Sequence, residues 1–134
     1  MWKFFILLIV LEIVLDFNTS QTYQCLIDNH AVILPLIIHH IANGFLLYGW
    51  ILIHRVFLFA HLIIVIAIIV YWKTNNNRCD LTIYVNRLCH WHKDKPFHDL
   101  LDMIGLKSTY LWNEYGHYLF ITFGAVISLW KIIQ

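Results

Sequence analysis

The stretch AVILPLIIHHIANGFLLYGWILI, residues 31–53, contains no Asp, Glu, Lys or Arg, and VFLFAHLIIVIAIIVYW follows it at residues 56–72, again without a charge. Hydrocarbon provides no water for backbone N–H and C=O groups, so a chain crosses it as helices or as a closed barrel. About 20 apolar residues span the bilayer core as a helix, which makes these two runs spanning helices joined by a turn at His54 and Arg55. Apolar runs at residues 2–17 and 110–133 extend the pattern. The expected fold is all-α: an integral membrane bundle of four transmembrane helices, or three if the first is removed. A polar loop at 73–109 precedes the last span.

The composition agrees. Of the 134 residues, 60% are hydrophobic and 13% charged, and a soluble fold would leave much of these runs as large exposed apolar patches. The length allows one domain, residues 1–134. A formal charge of +1 carries no polybasic excess, which argues against nucleic acid as a partner. The expected partners are the lipid bilayer and either further copies of the chain or partner membrane helices.

Segment by segment, residues 2–17 have Lys3, an apolar core and then Glu12 and Asp16. This resembles a secretory signal, but no small-x-small cleavage site follows, and the balance favours a retained helix on which Glu12 and Asp16 share one face. Pro35 falls near the first turn of the second helix, where a missing N–H is tolerated. Trp50, Tyr71 and Trp72, then Trp112, Tyr115, Tyr118 and Trp130, stand where aromatic residues mark membrane–water interfaces. In the loop, Thr74 and Asn75 to Asn77 form a turn cluster. Asp80 then caps a short helix with Leu81, Tyr84, Val85 and Leu88 on one face. A second short helix starts at Pro96, places Phe97, Leu100, Leu101 and Ile104 inward, and closes at Gly105. Both are amphipathic, with their apolar sides toward membrane or protein.

Two helices separate a first loop at residues 18–30 from the loop before the last span, so both loops lie on one side of the membrane, together with Cys25, Cys79 and Cys89. Lys73, Arg78, Arg87, Lys93, Lys95 and Lys107 outnumber Lys3, Arg55 and Lys131, and the positive-inside rule puts the loop side in the cytoplasm. Lys3, and the glycosylation sequon at Asn18, Thr19 and Ser20, argue the reverse.

Nine histidines equal Lys and Arg together, and His binds metals and titrates near neutral pH. His39, His40 and Asn43 lie mid-helix, where ionisable groups are costly and face the bundle interior. At roughly 1.5 Å per residue, Glu12 falls within about a turn of His39 or His40 in depth. A cofactor, metal or proton site is therefore expected from His39, His40, His61 and Glu12, the alternative being a neutral His hydrogen-bonded between helices. A haem held by two axial histidines fits poorly within one chain. His61 is level with about Tyr48, and the level of His39 on the last helix, around 124–126, has no ligand; His117 sits near the loop-side boundary. The loop offers Cys79, Cys89, His92 and His98, with His90 nearby, as thiolate and imidazole donors for zinc. Their spacing lacks any Cys-x-x-Cys pair, and in an oxidising compartment two of the three cysteines are free to form a disulfide instead. There is no Gly-x-Ser-x-Gly, phosphate-cradling loop or His-Glu-x-x-His, and the cofactor, if any, is left unnamed.

His61, then Cys79-Asp80-Leu81-Thr82 and Asn86-Arg87-Leu88, resembles a family of small bacterial membrane proteins of unassigned activity. Its signature is a helix-borne His followed by Cys-Pro-Leu-Thr-x-x-Glu and a nearby Arg. The lead-in Asn75-Asn76-Asn77-Arg78-Cys79 is similar to that of small membrane proteins of giant algal viruses. The resemblance covers about residues 36–88; Asp80 stands for the proline and Val85 for the glutamate, so no carboxylate role carries over. It implies a membrane fold and no reaction. The expectation is a structural or accessory membrane protein without a catalytic site, against the alternative of an intramembrane His/Glu site within a redox or transport complex.

Overall fold

The structure is a computed structural model and describes residues 2–92 and 115–134. Six α-helices occur among the described residues: α1 (Trp2–Phe17), α2 (Ser20–Asp28), α3 (Ile33–Tyr48), α4 (Arg55–Thr74), α5 (Asp80–Leu88) and α6 (His117–Ile133). The expected second loop helix at Pro96, with His98, lies outside the described residues.

The two uncharged runs become a helical hairpin. Short 3₁₀ turns at His30–Val32 and Gly49–Ile51 extend α3 at either end, giving a 22-residue apolar segment His30–Ile51 beside the 20-residue α4. Both are long and apolar enough to cross a membrane. The expected four spans are not all met. α6 is 17 residues long within the described chain, and α1 reaches spanning length only together with α2, across a bend of 79°. Two helices, or three if the bent pair is one span, have the length and composition of membrane crossings.

The bend has a local cause. Asn18 and Thr19 interrupt the apolar run, and Thr19 takes extended backbone geometry as the N-cap of α2, its hydroxyl oxygen accepting from the Thr22 N–H. Side-chain caps of this type satisfy orphan donors at a helix start. Residues 18–30 were expected as a loop; nine of them are this helix. At the other end of the hairpin, Asn76 and Asn77 adopt φ of 53° and 59°, a left-handed conformation for which Asn is enriched, and so return the chain to α5. Asp80 stands in the first turn of α5 and Cys79 holds the cap position, one residue earlier than the sequence suggests.

Three apolar clusters hold these pieces. Phe5 and Ile9 of α1 pack with Leu52 and with Phe45 and Tyr48 of α3. Leu46, Val65 and Ile121 join α3, α4 and α6. Cys25, Val32, Leu36 and Val85, flanked by Phe17, Leu26, Leu88 and Trp91, form a cap where α2 and α5 meet the start of α3. Cys25 and Cys89 close that cap with a disulfide, and the Asn29 side chain donates to the Leu88 carbonyl at 3.1 Å.

Candidate buried histidine site

Two histidines carry polar contacts into the bundle, at separate places. His40, on α3, is fully buried, as are Glu12 and Asp16 of α1 at 3% and 1% exposure and Thr22 of α2. The four-residue spacing of Glu12 and Asp16 sets both carboxylates on the face of α1 that meets α3. Ile9 continues that face and lies against Gly44, where the missing side chain lets the two helices approach. Asp16 Oδ2 lies 3.0 Å from His40 Nε2, and Asp16 Oδ1 accepts the Thr22 hydroxyl at 3.0 Å. Glu12 Oε2 approaches His40 Nδ1 at 3.9 Å. It is buried and makes no hydrogen bond among the described residues. The imidazole thus has a carboxylate toward each of its nitrogens. Tyr48, two turns further along α3 from His40, also interacts with Glu12.

His61, on α4, is the second centre. Its Nε2 is 3.0 Å from the Leu46 carbonyl and its Nδ1 2.8 Å from the Ser128 hydroxyl of α6. A carbonyl only accepts, so Nε2 carries the proton and Nδ1 accepts from Ser128. This neutral tautomer ties α3, α4 and α6 together, with Gly49 making room for the His61 ring and Gly124 for the Trp50 ring: a β-carbon on Gly49 would come 2.5 Å from His61 Cδ2, and one on Gly124 2.6 Å from Trp50 Cδ1.

The residues expected to form one site are therefore divided. Glu12 and His40 come together as anticipated. His39 is the adjacent residue with its ring 6.4 Å from that of His40, centroid to centroid, and half-buried. His61 belongs to a different set of helices, and a metal or haem iron there would have to displace Ser128 or the Leu46 carbonyl. Asp16, the closer partner of His40, was legible only as a residue on the Glu12 face, and Thr22 and Ser128 gave no signal in the sequence.

The expected zinc donors need correction. Cys89 is bonded to Cys25, so its sulfur is no thiolate; Cys79 is the free cysteine, His92 is exposed, and His98 lies outside the described residues. Among the described residues, no group of three or more His, Cys, Asp or Glu side chains is arranged to hold a metal ion. Comparison of the chain with protein families, with curated proteins and with solved structures finds no match.

Proposed function

We propose that this chain is a multi-pass membrane protein with a structural or accessory role, a compact helical unit that assembles with further copies of itself or with partner helices. The observation that carries this reading is a broadly apolar outer surface around an interior that, beside its apolar clusters, holds hydrogen-bonded polar groups. The bundle interior holds Glu12, Asp16, His40, His61 and Ser128, while Phe4, Leu7, Ile63, Ile66, Leu119 and Phe123 are among the large apolar side chains on the outside. Such a surface is stable against lipid tails or apolar helices and a liability in water. Buried side-chain hydrogen bonds between helices are the means by which membrane helices select their neighbours, and His61 and Asp16 make such bonds from both ends of their polar groups.

The disulfide supports an orientation. Such bonds persist in oxidising compartments, so the cap formed by α2 and α5 faces the cell exterior, a lumen or a periplasm. This opposes the Lys and Arg count and agrees with Lys3. The test is alkaline carbonate extraction of membranes from cells expressing the chain, followed by sizing of the detergent-solubilised protein. Retention in the membrane, with a size above one chain or a co-purifying membrane protein, is expected. Release into the carbonate supernatant overturns the reading.

A further inference from the structure

We infer that Glu12, His40 and Asp16, continued by Tyr48 at one end and Thr22 at the other, form a proton relay through the helix bundle. The inference rests on the membrane-spanning reading above and adds a function to it.

Geometry is the first argument. An imidazole with a carboxylate toward each nitrogen accepts a proton on one side and releases one on the other. Glu12 Oε2 faces Nδ1 at 3.9 Å, and Asp16 Oδ2 sits at 3.0 Å from Nε2. Transfer from Glu12 to Nδ1 gives an imidazolium. Loss of the Nε2 proton to Asp16 leaves the neutral ring as its Nδ1–H tautomer. One proton has then moved from Glu12 to Asp16, with no other reactant consumed. The ring is reset when Nδ1 returns a proton to the Glu12 side and Nε2 takes one from the Asp16 side, or when a further proton repeats the step from a re-protonated Nε2. The Glu12 contact must shorten by about 1 Å to reach hydrogen-bond length, and Oε2, the atom that approaches, makes no hydrogen bond among the described residues.

Direction is the second. Glu12 and Asp16 are one turn apart, about 6 Å along α1, and Tyr48 lies about 12 Å along α3 from His40 at a rise of 1.5 Å per residue. Tyr48 is the last residue of α3, at the end remote from the cap, whereas Thr22 belongs to α2 within the cap. The exchangeable groups therefore run lengthwise through the bundle and do not ring a single depth. His39, half-buried on α3, is the other titratable group beside them.

Charge is the third. Fully ionised, the two carboxylates and one imidazolium leave one net negative charge in the interior, where an uncompensated charge is costly. A proton cancels it, and no metal-binding group exists there among the described residues.

The experiment places the purified full chain in phosphatidylcholine vesicles with a trapped pH-sensitive dye and drives protons inward with a potassium diffusion potential. Flotation and carbonate washing first establish insertion. Proton entry above the protein-free rate is expected, lost in Glu12→Gln and in Asp16→Asn and retained in Asp28→Asn, a substitution in α2 away from the route. Inserted protein that gives only the protein-free rate overturns the relay and leaves the membrane reading intact. Flux unchanged in Glu12→Gln and Asp16→Asn overturns it equally. Chain that does not insert overturns both. Should Asp16→Asn fail to fold, Glu12→Gln decides alone, since its Oε2 has no hydrogen bond to lose.

Discussion

His61 is held at both ring nitrogens, by the Leu46 carbonyl and the Ser128 hydroxyl, and this fixes what its neighbours can be. A methyl group at position 49 would meet a ring that has nowhere to turn, so Gly49→Ala is expected to cost about 1–3 kcal/mol, the range for overpacking a tight interior. Gly124→Ala should cost a similar amount, because the Trp50 ring it would strike is anchored by its own Nε1–H to the Leu47 carbonyl at 2.7 Å. Gly44→Ala should cost less: the atom it meets is in the flexible side chain of Ile9. Unfolding midpoints in mixed detergent would rank the three, and Gly44→Ala as the most damaging would contradict this account. Ser128→Ala removes the donor to a buried nitrogen and should destabilise by about 1–3 kcal/mol. Part of this was readable in advance. Hairpin arithmetic places His61 level with Tyr48, and the ring contacts Leu46, two residues away. Choosing His40 over His39 as the partner of α1 was not readable, because neighbouring positions on a helix point in different directions and only the packing of α1 on α3 selects between them.

At the level of elements, the helical hairpin and α1 were legible because long uncharged runs leave the backbone few alternatives. The helix α2 was not. Its buried positions are Thr22 and Cys25, a polar residue and a sulfur, so its inward face never reads as an apolar stripe. What fixes it is the Thr19 cap and the bond from Cys25 to Cys89. Reduction of that bond, or Cys25→Ala, should therefore loosen the cap more than the hairpin. Limited proteolysis after reduction is expected to cut first within α2 or between Cys79 and His92, leaving α3 and α4 intact; equal protection of the reduced and oxidised forms would show that packing of Val32, Leu36 and Val85 suffices. Thr22→Val tests the same cap from the polar side. It removes the hydroxyl that donates to Asp16, and should lower stability by about 1–3 kcal/mol by leaving a buried carboxylate oxygen without that donor.

For the whole molecule, compartment and composition pull apart. The count of Lys and Arg assigns the loop side to the cytoplasm, yet that side carries the disulfide. On the membrane reading proposed above, the disulfide argues for the reverse orientation, and Cys79 supplies a probe. It is a partly exposed free thiol at the start of α5, so a membrane-impermeant maleimide added to intact cells should label it, and labelling only after the membrane is permeabilised would reverse the orientation. Lys131, at the far end of α6, donates to the Trp50 carbonyl at 2.7 Å, at the end of the hairpin remote from the disulfide.

The disulfide joins residues 64 positions apart, and between them lies the whole α3–α4 hairpin. Cys25 leaves the ribosome long before its partner exists, so the bond records an order of events: the hairpin must be made and its second end returned to the side of the first before the two sulfurs can meet. An oxidised chain is thus one whose hairpin is complete, and a nick anywhere between the two cysteines would leave fragments that migrate as one until reductant is added.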